Sequence, residues 1–169
     1  MDHKLITFDE VGFRLVPVYR RVWFFKGEKP RGIFFWSNKK INLIGALVDG
    51  KKVHYEWHDS LNSLTFKSFL VDFVKTLSPK KKYVFLLDNV GYHKTYCIRN
   101  YLIQFGNIVV EFYPTYSPEL NAIETCWKIT RNNVTNSTYY ESIEEMQQAI
   151  EQFLDNHFFK LDLSNYLCP

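Results

Sequence analysis

Three carboxylates stand where short apolar segments give way to polar, turn-rich sequence. Asp88 directly follows the apolar run 84–87 in KYVFLLDNVGYH, and Glu124 begins a helical pattern in YSPELNAIETCW. Asp9 follows the β-prone run KLITF near the N-terminus. Carboxylates that are brought together repel one another unless a cation offsets their charge. The three residues therefore predict an acidic metal-binding site.

A site of this kind suits in-line displacement at phosphorus. Mg²⁺ binds few protein ligands and takes its remaining contacts from water and from substrate phosphates. A pair of such ions about 3.5–4 Å apart activates the attacking oxygen and stabilises the leaving oxygen. We therefore expect the carboxylates of Asp9, Asp88 and Glu124 to come within reach of one metal pair.

Each acidic residue also has a simpler interpretation. Asp9 would shape a turn, and Asp88 with Asn89 would cap the following helix. Glu124 would pair with Lys128 on an ordinary solvated helix face. Taken together, three carboxylates at the ends of suitable elements favour the metal site over these separate explanations.

Residues close to the three carboxylates are candidates for accessory roles. His93 lies five positions after Asp88, where it would either orient a phosphate or a water molecule or stay exposed and uninvolved. Asn89 and Glu10 are the other accessory candidates. Trp127 is expected to anchor the core rather than to stack on a nucleic-acid base.

Three further glutamates compete with the proposed metal ligands. Glu10 adjoins Asp9 in the sequence. Glu111 alternates within a predicted strand and is therefore expected to face solvent. Glu119 falls in a turn, about one helical revolution before the helix that carries Glu124.

The hydrophobic pattern predicts an α/β domain with a mixed five-stranded sheet and helices on both faces. The predicted strands cover 4–8, 41–48, 53–57, 84–87 and 108–112, and the predicted helices cover 61–77, 95–105, 121–133 and 142–158. Asp49-Gly50 joins the second and third strands as a hairpin. The first helix supplies the crossover that sets the fourth strand parallel to the first. Asp9 and Asp88 are therefore expected to emerge side by side.

The composition is that of a single globular domain over residues 1–169, with 46% apolar and 23% charged residues. Cys97, Cys126 and Cys168 are odd in number and lack Cys-x-x-Cys spacing, so they support neither a disulfide framework nor a zinc site. No apolar run approaches the roughly 18 residues of a membrane span, and the N-terminus lacks a signal-peptide layout. We therefore expect a cytoplasmic protein with no membrane association.

Positive charge is concentrated in the segment 14–40, which carries eight basic residues against one glutamate. The segment 135–169 reverses this balance, with six acidic residues against one lysine. The asymmetry indicates that one face meets a polyanion, whereas a solvated basic loop is the simpler explanation. The candidate DNA contacts are Arg14, Arg20, Arg21, Lys26, Lys29, Arg31, Lys128 and Arg131.

Three motifs give the chain a family resemblance that covers nearly its whole length. FDEVGF, LLDNVGYH and YSPELNAIETCW resemble the three acidic motifs of the DDE catalytic domain in mariner-type and related bacterial and archaeal insertion-sequence transposases. The third motif is the most specific, and Glu124 follows Asp88 by 36 positions, close to the family's spacing. The resemblance implies that Asp9, Asp88 and Glu124 form the catalytic, metal-binding triad, and it favours Glu124 over Glu119.

The resemblance also implies a fold and a reaction. The fold is ribonuclease-H-like, in agreement with the predicted order of elements. The reaction is Mg²⁺- or Mn²⁺-dependent cleavage at transposon ends, with two ions in the active complex, followed by attack of the freed 3′-hydroxyl on target DNA. The implied partners are transposon-end DNA, target DNA and further copies in a homodimer or larger synaptic assembly. The implied location is the cytoplasm or nucleoid of a prokaryote.

The chain departs from the family pattern at two places. Ala122 stands where proline usually precedes Ile-Glu, which is expected to alter the helix entry without removing a ligand. Asp9 lies so near the N-terminus that we expect no N-terminal helix-turn-helix region, so recognition of terminal repeats would need a separate N-terminal DNA-binding chain or region. Two other functions stay open, namely a ribonuclease-H-like structure-selective nuclease and a non-catalytic transposase remnant that binds DNA or a partner.

Overall fold

The computed structural model describes residues 3–15, 25–27, 37–136 and 138–167. They contain a five-stranded mixed sheet in the order β3-β2-β1-β4-β5, with helices on both faces. The strands are β1 His3–Arg14, β2 Lys40–Val48, β3 Lys52–His58, β4 Lys82–Leu87 and β5 Ile108–Phe112. The helices are α1 Ser63–Lys75, α2 Tyr96–Leu102, α3 Ala122–Thr130, α4 Ile143–Asn156 and the short α5 Ser164–Leu167. The predicted sheet architecture is confirmed.

Strand β1 lies at the centre of the sheet and is longer than predicted. It pairs antiparallel with β2 over residues 6–14. Its parallel pairing with β4 covers only residues 3–7. The prediction that Asp9 ends this strand was therefore wrong, because hydrogen bonding to β2 continues β1 after β4 has ended. Asp9 lies two positions beyond the last β1–β4 pair.

The side chains of the sheet alternate between two hydrophobic layers. The layer under α1 and α2 is rich in phenylalanine, and Phe8 of β1 lies at its centre. The rings that contact Phe8 are Phe66, Phe69, Phe73 and Phe85. The layer under α3 and α4 contains Val11 of β1 and the fully buried Trp127. Each face of the sheet therefore has its own core.

The β2–β3 hairpin confirms the predicted Asp49-Gly50 turn. Both residues have positive φ, 50° and 69°, and the amide of Lys51 closes the turn by donating a 3.0 Å hydrogen bond to the carbonyl oxygen of Val48. Asp49 also accepts hydrogen bonds from Lys4 Nζ at 2.5 Å and from the amide of Leu5 at 3.1 Å. These bonds tie the hairpin to the start of β1.

Two helical regions differ from their predicted extents. The segment 95–105 forms the shorter α2, which follows a 3₁₀ turn at Gly91–Lys94. Helix α3 is followed by a π-helical turn at Arg131–Thr135. Helix α5 was not predicted, because four residues are too few to show a hydrophobic period. None of the helices in the described ranges has the length and apolar character needed to cross a membrane.

Several residues singled out from the sequence lie outside the described ranges. They are Arg20, Arg21, Lys29, Arg31 and Cys168. Arg14 is exposed at the end of β1, and Lys26 is exposed in a turn. Cys97 and Cys126 are free thiols.

Candidate active site

Asp9 and Glu10 are consecutive in β1 and therefore point to opposite faces of the sheet. Asp9 faces α3, where its Oδ2 accepts a 2.9 Å hydrogen bond from Trp127 Nε1. Glu10 faces the α1 side, where its Oε1 lies 2.9 Å from His93 Nε2. One dipeptide thus supplies a carboxylate to each face, just beyond the point where β1 and β4 stop pairing.

Asp88 is placed beside Asp9 by the register of two parallel strands. The last pair between β1 and β4 is Thr7↔Leu86. Extending this register by two residues brings Asp88 opposite Asp9, in agreement with the predicted side-by-side emergence. The side chain of Asp88 is 34% exposed, so it lies at the surface of the site.

Helix α3 carries Glu124 and is hydrogen-bonded to β1 on both sides of that residue. Asn121 Nδ2, just before the helix, donates a 2.9 Å hydrogen bond to the carbonyl oxygen of Phe8. Trp127, three residues after Glu124, donates to Asp9. Because Asn121 and Trp127 are buried, these bonds hold the first turns of α3 against β1. They thereby fix Glu124 relative to Asp9.

Trp127 reaches Asp9 because the residue opposite Asp9 on β2 is glycine. Asp9 pairs with Gly45, and directly opposed residues of antiparallel strands share a face of the sheet. A Cβ atom at Gly45 would lie 2.5 Å from the ring of Trp127 and 3.2 Å from Ile123. The indole ring therefore packs directly on the backbone of β2, and Gly45 is needed for space.

Asp9, Asp88 and Glu124 line one cavity of about 380 Å³ at the carboxyl ends of the parallel strands. Its other lining residues come from the connections after β4 and β5: Asn89, Val90, Tyr113, Pro114, Thr115, Tyr116, Ser117, Pro118 and Asn121. Asn89 Nδ2 donates a 3.2 Å hydrogen bond to Thr115 Oγ1 and so joins the two connections. The following 3₁₀ turn has no side-chain cap, so the helix-capping interpretation of Asp88 and Asn89 was wrong.

The carboxyl group of Asp9 is strongly perturbed by its surroundings. Burial raises its pKa to about 8, together with repulsion from Glu124 and Glu10. The hydrogen bond from Trp127 lowers the pKa of Asp9 but does not cancel the increase. A negative charge on Asp9 is therefore costly unless a cation offsets it.

His93 is fully buried between two carboxylates, Glu10 on Nε2 and Asp88 on Nδ1. Burial lowers the pKa of His93, but Asp88 and Glu10 outweigh burial and raise it to about 9. The Asp88 Oδ1 contact of 2.5 Å lacks hydrogen-bond geometry and is an ion pair. The interpretation of His93 as exposed and uninvolved was wrong, and both ring nitrogens face carboxylates rather than a phosphate.

The cavity offers oxygen atoms that suit a hydrated divalent cation. The hydroxyl of Tyr113 and Oδ1 of Asn121 are buried and have no hydrogen-bond partner within the described ranges. Oxygen ligands beside carboxylates fit Mg²⁺ or Mn²⁺ better than softer metals. In the same ranges, no three Asp, Glu, His or Cys side chains are clustered closely enough to hold a metal ion as they stand. The carboxylate of Asp88 forms an ion pair with His93 rather than a three-ligand cluster with other acidic side chains.

The rival glutamates lie outside this cavity. Glu111 is exposed on β5, as predicted, and Glu119 is exposed in the 3₁₀ turn Pro118–Leu120. Glu119 instead lines a polar groove beside the cavity, together with Lys128 and Arg131. The cavity and the groove share Pro118, Asn121 and Glu124. Glu124 is therefore the glutamate of the third motif that lies with the aspartates.

The sequence did not reveal two of the residues that organise the site. Trp127 is a core anchor, as predicted, but its hydrogen bond to Asp9 was not expected, and Asn121 was not singled out. Both lie three positions from Glu124, a spacing that places residues near one another on a helix. Their contacts with β1 depend on how α3 docks, and the sequence carries no direct signal of that docking.

Known proteins resemble this chain in sequence over most of its length. Residues 4–147 match the family model described as DDE superfamily endonuclease. The chain is 26% identical over 155 residues to an insertion element IS630 uncharacterized 39 kDa protein of Shigella sonnei. That alignment covers 91% of this chain and 45% of the Shigella protein.

Solved structures share the fold. A Mos1 strand transfer complex matches with a TM-score of 0.73 at 20% identity, covering 98% of this chain and 50% of that chain. A mariner Mos1 paired end complex with Mg matches with a TM-score of 0.76 at 18% identity, covering 97% and 53%. The catalytic domain of Mos1 mariner transposase matches with a TM-score of 0.66 at 19% identity, covering 98% and 74%.

These matches assign the ribonuclease-H-like fold, as the sequence resemblance implied. The chain spans about half the length of the Shigella protein and of the chains in the two Mos1 complexes. Because the family model covers residues 4–147, this protein belongs to the DDE superfamily endonuclease family.

Proposed function

We propose that residues 1–169 are the catalytic domain of a metal-dependent DNA transposase. It cleaves phosphodiester bonds at transposon ends and joins the resulting 3′-hydroxyl ends to target DNA. The observation that carries this proposal is the single cavity lined by Asp9, Asp88 and Glu124 in a chain of the DDE family. One set of carboxylates serves both steps, because each step is an attack by an oxygen atom on phosphorus.

Asp9, Asp88 and Glu124 would hold two Mg²⁺ or Mn²⁺ ions, which when bound activate the attacking oxygen and stabilise the leaving oxygen. Trp127 orients the Asp9 carboxylate through its indole N–H. His93 orients Asp88 and places a positive charge among the carboxylates. These residues act on the site through the triad, so they are positioning residues.

The polar groove beside the cavity is the surface that we assign to the DNA backbone. Lys128 of α3 and Arg131 of the following π-helical turn line this groove together with Glu124. The guanidinium of Arg131 lies 5.7 Å from the ring centre of Phe13 and donates a 3.3 Å hydrogen bond to the carbonyl oxygen of Gly12. Phosphates that neighbour the reacting one and lie in the groove would therefore meet these two cations.

Lys128→Ala is expected to weaken DNA binding about equally for all sequences. Loss of one phosphate contact should reduce the slope of log affinity against log salt concentration by about 1. Fluorescence anisotropy with a labelled duplex at several salt concentrations measures both effects. Lys80→Ala is the matched control, because Lys80 is exposed just before β4, at the opposite end of that strand from Asp88. An unchanged salt slope for Lys128→Ala would contradict the assignment of the groove.

A branched DNA tests the proposed function without requiring recognition of a terminal sequence. Such a substrate places a 3′-hydroxyl end beside a phosphodiester bond, so proximity replaces the specific binding of two separate DNA molecules. With Mn²⁺, the proposed enzyme should transfer the 3′-hydroxyl to that phosphorus, reseal the strand and release the branch as a free end. Denaturing gel electrophoresis resolves the resealed strand from a hydrolytic nick.

The same assay separates the alternative functions. A nick without resealing would favour a structure-selective nuclease. Absence of any product, together with no Mn²⁺ binding by calorimetry, would favour a non-catalytic remnant that binds DNA or a partner. Chelation of the metal with EDTA is the control for metal dependence.

We further propose that the domain works on DNA as a homodimer or larger synaptic assembly in the prokaryotic cytoplasm or nucleoid. Sequence-specific recognition of the ends would come from a separate N-terminal DNA-binding region or chain. This proposal is supported by the Mos1 strand transfer and paired end complexes among the fold matches. It is also supported by the length of the Shigella protein, of which the aligned part is 45%.

A further inference from the structure

Tyr116 combines two unfavourable features that the proposed catalysis does not explain. Its side chain is 97% exposed, so a large aromatic ring projects into solvent. Its backbone has a φ of 60°, in the left-handed region that bulky residues rarely adopt. Strained positions of this kind cluster at active sites and ligand-binding elements, where the surrounding structure holds them in place.

The segment around Tyr116 is anchored on both sides. Before it, the amide of Tyr113 donates a 2.9 Å hydrogen bond to the carbonyl oxygen of Leu87, and Thr115 is bonded to Asn89. After it, the amide of Leu120 donates to the carbonyl oxygen of Ser117 at 3.2 Å. Pro114 and Pro118 restrict the backbone further, because each fixes its own φ. The loop that carries the ring of Tyr116 is therefore held in one backbone conformation.

Tyr116 also lies at the catalytic cavity. Among the described residues, the aromatic side chains that line the cavity are Tyr113 and Tyr116. Tyr113 is only 6% exposed, whereas Tyr116 is almost completely exposed. A nucleic-acid strand whose phosphate enters the cavity must carry its neighbouring bases past the rim, where the exposed ring of Tyr116 stands.

We propose that Tyr116 is a stacking platform for an unpaired nucleobase next to the reacting phosphate. This inference rests on the proposed function, because it requires a DNA strand in the cavity. A phenol ring offers a flat face to any base, so stacking tolerates different sequences. Base pairs adjoining a cut or branched end are the ones that open most readily, and Tyr116 would hold the opened base away from the cavity.

The test uses a DNA end with a short unpaired 3′ extension that contains 2-aminopurine, whose fluorescence is quenched by stacking. In this binding measurement Ca²⁺, whose coordination geometry is less demanding, replaces Mn²⁺ as the divalent ion. Binding of the wild-type protein to this DNA end should change the quenching of the 2-aminopurine fluorescence. Tyr116→Ala should abolish that change and weaken binding of the extended end by about 5- to 150-fold. A fully paired blunt duplex should lose much less affinity.

Three further variants separate stacking from other roles. Tyr116→Phe retains the ring and should behave like wild type. Tyr116→Gly accommodates the positive φ without a side chain and should lose stacking while the protein keeps its melting temperature. Tyr96→Ala is the matched control, because Tyr96 is 80% exposed but lies on α2 and not at the cavity.

Two results would overturn the proposal. The first is unchanged quenching and affinity in Tyr116→Ala. The second is a shift of Tyr116→Ala from dimer to monomer in sedimentation, with base stacking intact, since that would make the ring a contact between protein copies. Either result leaves strand resealing by the wild-type protein untouched, so failure of this inference is distinguishable from failure of the proposed function.

Discussion

Replacing Asp9 by asparagine is expected to stabilise the metal-free protein at neutral pH and to abolish metal-dependent DNA cleavage. The amide side chain of the Asp9→Asn variant would keep an oxygen that can accept the hydrogen bond from Trp127. It would also remove a carboxyl group that, beside Glu124 and Glu10, must either hold a proton or bear an unfavourable negative charge in the folded protein. We expect a gain in the free energy of unfolding of about 1–3 kcal/mol at pH 7.

The direction of this effect follows from the raised pKa of Asp9. The pKa is about 8 in the folded protein, compared with 3.8 for an unperturbed aspartate. The folded state therefore holds a proton that the unfolded state releases between these values, and stability falls as pH rises. Its contribution is fully present below about pH 4 and is lost as pH rises through 8. The asparagine variant lacks this dependence.

Urea unfolding in EDTA at pH 5, 7 and 8 measures the stability difference. The advantage of Asp9→Asn over the wild type should grow across this series, and added Mn²⁺ should stabilise the wild type more than the variant. Asp59→Asn is the control, because Asp59 is exposed and lies outside the cavity. Equal stability of Asp9→Asn and the wild type at all three pH values would contradict the raised pKa of Asp9.

Asp9→Asn should lose about 10³-fold or more of its cleavage activity, because stabilisation of charge in the transition state depends on the metal site. Asp88→Asn and Glu124→Gln should lose activity to a similar extent. Glu119→Gln provides a matched comparison, since Glu119 is a nearby glutamate that does not line the cavity. If Glu119→Gln were inactive and Glu124→Gln active, the assignment of the third carboxylate would be wrong.

The parts of the fold that the sequence predicts are those encoded in local patterns. The five strands follow from apolar runs, and the Asp49-Gly50 turn follows from the φ values that its residues tolerate. The extent of β1 could not be predicted in this way. It depends on pairing with β2, a strand distant in the sequence, and that pairing extends β1 past Asp9.

In the candidate site, too, some positions follow from the sequence and others depend on tertiary contacts. The positions of Asp9 and Asp88 follow from the element order, because parallel strands present their carboxyl ends at one edge. The burial of His93 does not follow, since it requires Glu10 to point to the opposite face from Asp9 and Phe66 of α1 to cover the ring. Strand alternation could have predicted the direction of Glu10, but not its partner.

Gly45→Ala is expected to disrupt the site from the neighbouring strand β2. The new Cβ would overlap the ring of Trp127, and overpacking of this kind costs about 1–3 kcal/mol of stability. Relief requires the indole to move, which would break its hydrogen bond with Asp9. We therefore expect both the melting temperature and the cleavage rate to fall. Gly106→Ala is the control, because a Cβ there meets no neighbouring atom.

Combining Gly45→Ala with Trp127→Phe separates packing from orientation. Phenylalanine lacks the part of the indole ring that the new Cβ would overlap, so the double variant should be more stable than the sum of the single changes by about 0.5–3 kcal/mol. Phenylalanine also lacks the N–H that bonds to Asp9. The cleavage rate of the double variant should therefore stay as low as that of Trp127→Phe alone. If the changes in the free energy of unfolding were additive, the two residues would not compete for space. If the double variant regained cleavage activity, the indole N–H would not be needed to orient Asp9.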